Sequence, residues 1–427
     1  MNMNLYGHDG QWLMVDCGVS FNEPLVPDDL HTAEVVSADP KFISDQKERL
    51  AGIVITHAHE DHVGALPFLW RRFQCPVYTT AFTAEVLRRK LVQVGLADEV
   101  PVIVMEENQT QKIGVFSVSW LALTHSVPEP FAMTIDTPAG QIFHTGDWKI
   151  DKQPIIGKGF SADRFKALSK TPIRAMVCDS TNALREGHSA SESECYEGLL
   201  RAIEVEKGRV VVGCFSSNVA RLVALGRVAK QTGRYLALIG RSLINMVGAA
   251  KATGYWPDDI PLIESAHLGY LPKEEVLAVV TGSQGEPRAT LNRLASDTCF
   301  DLSLDADDLV IFSAMMIPGN ETAIMRLVEQ FKGRKIRTLQ QQDTALTIHV
   351  SGHPCRDELS QLYSWVQPEI AVPVHGEPEH LVANGQVAKL SQVPRQLVGR
   401  NGDLYQFAPQ VCIRRQMVKT ARIALAR

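Results

Sequence analysis

Short apolar runs broken by turn residues fill the first third of the chain. Trp12-Leu13-Met14-Val15 stops at Asp16-Cys17-Gly18, and Gly52-Ile53-Val54-Ile55-Thr56 stops at His57. Val115–Trp120 leads towards His125, and Gln141–His144 leads to Gly146-Asp147. Such runs, rich in β-branched and aromatic residues and bounded by turn formers, predict strands. Just past each strand end stands a polar side chain able to bind a metal, the position where a rigid sheet commonly presents chemical groups on its loops.

The texture changes near residue 190. Glu192–Glu204 reads as a helix, Arg209–Gly213 as a strand, Asn218–Thr232 as a helix, Tyr235–Gly240 as a strand and Ser242–Thr253 as a helix, before the apolar run that ends at Thr281-Gly282. Helix and strand in regular succession predict a parallel α/β sheet unlike the strand-rich opening. After about residue 340 single histidines return at strand ends, at His349 and, behind Ile370-Ala371-Val372, at His375. The pattern predicts a first domain that is interrupted by an α/β unit and then rejoined, in segments 1–185, 186–340 and 341–427.

Composition narrows the class without naming a function. With 427 residues, 45% hydrophobic and 21% charged, the chain has material for two domains and no disordered bias. The net charge of -5 argues against coating nucleic acid by bulk attraction, while a local basic channel stays open. Eight scattered cysteines without a CxxC pair predict buried free thiols in a reducing compartment, the cytoplasm. Neither a signal-peptide pattern nor an apolar run of membrane-spanning length is present, so no membrane partner is expected.

The strongest chemical signal is His57-Ala58-His59-Glu60-Asp61-His62, set between a strand and the helix-like Val63–Leu69. Burying these ligand-type side chains unpaired would cost several kcal/mol. Imidazoles mixed with carboxylates suit zinc or a similar divalent ion and disfavour calcium. His57 and His59, two apart on an extended segment, can point to one side, while Asp61 and His62 open the next helix and can turn to a second ion. His125, Asp147 and His375, each at a strand end, are candidates to complete the two coordination sets. His8, His31, His188, His267 and His380 read as surface or turn residues, and His144 as a strand residue packed beside Asp147.

These motifs resemble a known set. Asp16, the His57–His62 cluster, His125 and Asp147 follow, in order and spacing, the four motifs of the metallo-β-lactamase superfamily. Cys178-Asp179-Ser180-Thr181-Asn182, Ile348-His349-Val350-Ser351-Gly352-His353 and Pro373-Val374-His375-Gly376-Glu377 are similar to motifs A, B and C of its β-CASP branch. Phe215-Ser216-Ser217-Asn218 and Thr281-Gly282-Ser283-Gln284-Gly285-Glu286-Pro287 resemble segments of the ribonuclease J family. The resemblance implies an α/β fold, a metallo-β-lactamase αββα sandwich with an inserted α/β β-CASP domain. It further implies a zinc-dependent ribonuclease of RNA processing and decay, with 5′→3′ exonuclease and endonuclease activity on single-stranded, 5′-monophosphorylated RNA. Two Zn²⁺ would be held, with Mn²⁺ or Mg²⁺ as substitutes: one by His57, His59 and His125, the other by Asp61, His62 and His375, with Asp147 bridging and Asp16 orienting a ligand ring or loop. The family commonly has a glycine-rich strand ahead of the position of Met1, and a further C-terminal domain that assists oligomerisation where about fifty residues follow His375 here. A homodimer is therefore an open expectation.

Two ions can activate water, so no protein nucleophile is required. The leaving 3′-oxygen needs a proton, for which His349 is the expected donor, with Asp179 as its partner; Asp61 could help position the water. Ser351, Gly352 and His353 offer a hydroxyl, a backbone N–H and an imidazole for a terminal phosphate. Ser217 and Asn218, just before a helix, could add its N-terminus, although an N-cap accounts for either equally well. Two other readings stay open on the residues alone: a hydrolase of the same fold acting on a small substrate, and a non-catalytic RNA-binding protein.

Overall fold

The computed structural model describes residues 1–26, 32–317 and 319–425, the side chain of Asn22 excepted. Two sheets face each other in the first part. One has five strands in the spatial order Asn4–His8, Gln11–Val15, Leu50–Val54, Val77–Thr79, Val102–Val104. The other has seven, running Arg395–Gln396, Ile370–Val374, Ile173–Asp179, Gly140–His144, Phe131–Thr137, Phe116–Ala122, Thr110–Ile113. Successive side chains of a strand point to opposite faces. Leu13, Val15 and Val54 therefore meet Val118, Trp120, Met133, Ile142, Val177 and Val372 between the sheets. Met14, Ile53 and Val77 face the helices Leu66–Phe73 and Ala81–Gln93 on one outer side. Phe143, Met176 and Ala371 face Ala162–Leu168, Arg356–Val366 and Pro378–Leu390 on the other. The result is the expected helix–sheet–sheet–helix sandwich, and residues 370–374 rejoin it beside Ile173–Asp179 in parallel.

The inserted layer is a five-stranded parallel sheet in the order Tyr235–Ile239, Val276–Val280, Val210–Gly213, Leu309–Phe312, Arg337–Leu339. Both faces are covered, as an all-parallel sheet requires. Val210 and Val212 pack with the helices Glu192–Glu204, Val219–Thr232 and Arg241–Ala252. Val211 packs with Thr290–Ala295 and Glu321–Gly333. The first of these cores also takes in Ala58, Phe82, Val127, Ile348 and Val350, so apolar packing joins the insert to the loops that carry His57–His62 and His125.

Local differences from the pattern are small. The strand expected to reach Thr56 ends at Val54, because Thr56 N–H turns to the Asp16 carboxylate instead of a neighbouring strand. The helix expected over 63–69 is two, Glu60–Val63 and Leu66–Phe73, joined through Gly64-Ala65. All eight cysteines are free. No helix among the described residues is long and apolar enough to cross a membrane.

Candidate metal centre

The strand ends of both sheets converge at one edge of the sandwich, and the side chains there are held from outside and aimed inwards. Asp16, with a left-handed φ of 66°, takes hydrogen bonds from Thr56 N–H at 2.8 Å and Thr56 Oγ1 at 3.0 Å. A short polar side chain makes that backbone tolerable. A carboxylate only accepts, so His62 must donate Nδ1–H to Asp16 Oδ2 (2.8 Å), which turns Nε2 inwards. The Thr56 hydroxyl has given its proton to Asp16, so it accepts from His57 Nδ1 at 3.0 Å. His125 donates Nδ1–H to the Gly352 carbonyl (2.6 Å) and His375 to Asn2 Oδ1 (3.1 Å). Fixing the outer nitrogen in this way orients a ring and selects its tautomer. Two glycines make the packing feasible: a Cβ on Gly18 would lie 1.7 Å from the Asp61 carbonyl oxygen, and one on Gly352 would lie 2.5 Å from the His125 ring.

The inward atoms form two donor sets that share Asp147, and a third group, Asp147, Asp179, His353 and His375, overlaps the second. His57, His59, His125 and Asp147 make one; Asp61, His62, Asp147 and His375 make the other. In the first set His59 Nδ1 lies 3.0 Å from His57 Nε2 and 3.1 Å from His125 Nε2. Zinc–nitrogen bonds of 2.0–2.1 Å at tetrahedral angles would put such nitrogens about 3.3 Å apart. Asp147 Oδ2 lies 3.2 Å from His62 Nε2, 3.3 Å from His375 Nε2 and 3.7 Å from His57 Nε2. Its Oδ1 is buried with no hydrogen-bond partner, an expensive arrangement unless a cation completes it. The donor chemistry fits divalent ions. In the first set so do the charges: burial, reinforced by neighbouring imidazoles, keeps His57 and His125 neutral, well below the usual histidine range. Burial pushes the Asp147 carboxyl upwards, but the facing imidazoles of His375, His62 and His353 outweigh it and hold it ionised. Burial in turn lowers His62 and His375, but Asp147 and Asp61 raise them by more, so an ion seated in that set would displace protons from the two rings. Neutral imidazole and ionised carboxylate are the forms that coordinate a metal.

The remaining expected residues divide. Asp179 meets His353, not His349: His353 Nδ1 donates to Asp179 Oδ2 at 2.8 Å and lies 3.9 Å from Asp147 Oδ2. Burial lowers the His353 pKa, but Asp179 with Asp147 raises it by more, to about 9. His349 is instead turned into the seam with the insert, both ring nitrogens buried without partners, its pKa lowered to about 3 by burial and by Arg221. The expected Asp179–His349 pair is thus replaced by Asp179–His353, because the bend at Gly352-His353 swings only the later histidine to the metal side. Ser351 accepts from Asn182 Nδ2 at 2.8 Å, and Asn182 also donates to the His353 carbonyl at 3.1 Å. Asn218 caps its own helix, Oδ1 accepting from Arg221 N–H at 2.9 Å, while Ser217 precedes it half-buried. That helix start reaches the His125 loop, with Ala220 N–H 3.4 Å from the Ser126 carbonyl oxygen.

Sequence reasoning missed three contributors. Thr56 and Asn182 lay inside motifs already singled out and could have been found there. Asn2 carried no signal. His144 accompanies Asp147 as expected and contacts the Tyr6 hydroxyl at 2.7 Å. His31 falls outside the described residues; His8, His188, His267 and His380 join no donor set among the described residues.

Known families match the chain in three stretches. Residues 2–171 match the metallo-beta-lactamase superfamily, 207–331 the ribonuclease J beta-CASP domain, and 345–389 the Zn-dependent metallo-hydrolase RNA specificity domain. Fold and site together define a metal-dependent nuclease of the hydrolase class, a metallo-β-lactamase domain with an inserted β-CASP domain. Relatives make the assignment narrower. A ribonuclease J of Sinorhizobium meliloti is 40% identical over 413 residues, 96% of this chain and 72% of the relative. Those of Mycolicibacterium smegmatis and Mycobacterium tuberculosis are 36% identical over 398 residues (92% and 69%) and 35% identical over 409 residues (94% and 71%). The chain belongs to the ribonuclease J family, as its motifs implied. A crystal structure of a protein of unknown function from Enterococcus faecalis shares the fold at a TM-score of 0.60 and 16% identity, covering 93% of this chain and 94% of that one.

Proposed function

We propose that this protein hydrolyses phosphodiester bonds of single-stranded RNA at a centre of two zinc ions, releasing nucleotides from a 5′-monophosphorylated end. The observation that carries the reading is the convergence of two donor sets on Asp147, with the Asp179–His353 pair beside them. His57, His59 and His125 would hold one ion and Asp61, His62 and His375 the other, with Asp147 shared and Asp16 orienting His62. When bound, such ions supply Lewis acidity towards a phosphoryl oxygen and a water activated for attack.

The chain's own groups supply the rest. His353, protonated at neutral pH beside Asp179, gives its proton to the departing 3′-oxygen. Asp179 holds the ring by its Nδ1–H and leaves Nε2 for that oxygen. Asn182 ties Ser351 to the His353 backbone, so the hydroxyl, the Gly352 turn and the imidazole move as one unit. Ser351, together with Ser217 and Asn218 across the seam, lines the place for a terminal phosphate, which the start of Val219–Thr232 favours electrostatically. The same centre would cut internally when no 5′ end is seated, giving endonuclease action. The division into 1–185, 186–340 and 341–427 as units, a homodimer, and a place in cytoplasmic RNA processing and decay belong to the same proposal.

The test uses RNA carrying a 5′-monophosphate or a 5′-triphosphate, with Zn²⁺ or Mn²⁺, and an Asp61→Ala/His62→Ala variant as control. Mononucleotide release that favours the monophosphate and vanishes in the variant is expected. Intact RNA with metal bound would instead move the assignment to a small substrate.

A further inference from the structure

The donor sets rest on side chains already assigned, with one exception. Asn2 lies against the set formed by Asp61, His62, Asp147 and His375, though it is far from all of them in sequence. Its backbone is pinned first: Asn2 N–H donates to the Asp61 carbonyl at 2.8 Å, and Gly18 N–H donates to the Asn2 carbonyl at 2.9 Å. The side chain then reaches three of the set's members. Oδ1 accepts from His375 Nδ1 at 3.1 Å. Nδ2 lies 3.1 Å from the Asp61 carbonyl oxygen, 3.3 Å from Asp61 Oδ2 and 3.1 Å from His62 Nε2.

A carboxamide suits this place because it carries both an acceptor and donors. The acceptor is needed by His375, whose backbone holds a left-handed φ of 55° and whose Nε2 faces Asp147 at 3.3 Å. With Nδ1–H taken by Asn2, Nε2 is the ring nitrogen left for a metal. The donors are needed by Asp61, whose side chain is the most solvent-exposed in the set at 36% and which meets no other side-chain amide among the described residues. His57, His62 and His125 have Thr56, Asp16 and Gly352 for their outer nitrogens; His375 has Asn2.

We infer that Asn2 is a positioning residue that couples Asp61 and His375 and thereby sets the affinity of the ion these residues and His62 would hold. The inference rests on the two-ion reading above and adds to it an asymmetry: His57, His62 and His125 are braced by the interior of the fold, whereas Asp61 and His375 share the one side chain of Asn2.

Cobalt titration of metal-stripped protein, followed by the visible d–d absorption, tests this without reference to catalysis. Wild type is expected to bind Co²⁺ in two resolvable steps. Asn2→Leu, of similar size but without hydrogen bonds, should weaken one step by about ten- to a hundredfold and leave the other unchanged. Asn2→Asp, which keeps an acceptor for the His375 ring but cannot donate to Asp61, should restore only part of the loss. His375→Ala and His57→Ala mark which step belongs to which set, and urea midpoints of the metal-free variants confirm that each is folded; the backbone anchors of residue 2 survive every substitution. If His375→Ala abolishes a step while Asn2→Leu leaves it unchanged or tightens it, the inference about Asn2 is overturned and the amide merely competes for lone pairs. If neither His375→Ala nor His57→Ala alters a step, the two-ion reading itself falls.

Discussion

The metal-facing edge of the sandwich and the inserted layer both bury charged side chains, and they treat them in opposite ways. In the insert the buried charged side chains Glu192, Arg221, Arg234 and Asp308 each have a polar partner. Arg221 donates to Glu192 through Nε and Nη2, each at 3.1 Å, and to the Ser313 carbonyl through Nη1, also at 3.1 Å. Arg209 pairs with Asp308, and Arg234 donates to the carbonyls of Gly208, Val276 and Glu206. At the sandwich edge the groups are held from behind, and their inward atoms point at one another with lone pairs to spare. Every donor set found among the described residues includes Asp147. Buried polarity by itself therefore does not mark a site; buried polarity with converging, unanswered acceptors does.

The comparison breaks first at Asp147. Asp147→Ala, which strips a ligand from both sets, should cut RNA hydrolysis by about 10⁴-fold, several kcal/mol of transition-state stabilisation. Elemental analysis should show bound metal lost from a folded protein; full activity would sink the assignment. In the insert, Glu192→Leu alone strands Arg221 in the core and should cost about 3–5 kcal/mol in urea unfolding. Adding Arg221→Met should return most of that stability, whereas no apolar partner substitution can rescue Asp147. A single variant as stable as wild type would contradict the buried pair.

The two histidines of one segment sharpen the contrast further. His353→Ala should lower kcat by about 10²–10³-fold with metal content retained. His349→Phe, replacing a ring whose nitrogens have no partner, should change kcat by less than about threefold and stability by under about 1 kcal/mol. Reversed effects would return the proton-donor role to His349. The smallest effect is in pH. Burial raises the Glu192 carboxyl, but Arg221 and then Lys149 lower it by more, leaving it below its ordinary value. A depressed folded pKa stabilises above the unfolded value and loses that contribution as pH falls through the folded one. Urea midpoints of wild type should therefore hold down to about pH 5 and fall below about pH 4, more steeply than those of the Glu192→Leu/Arg221→Met protein.

Much of the site was legible because its signals are local. A strand that ends in His57-Ala58-His59-Glu60-Asp61-His62 announces a metal loop through residue type and spacing alone, and the helix–strand succession after residue 190 announces a covered parallel sheet. The fold class, the seven donor candidates and Asp16 all follow from such short-range patterns together with the motif resemblance. Which histidine Asp179 would meet did not follow, since His349 and His353 sit in one segment and only the bend at Gly352-His353 decides which of them reaches a carboxylate 174 positions away. Nor did the role of Asn2, whose amide meets a ring 373 positions along the chain. Hydrophobic period and turn chemistry act over a few residues and fix elements. Hydrogen bonds between distant loops depend on how those elements stack, and that is decided only when two sheets and an inserted layer close on one another.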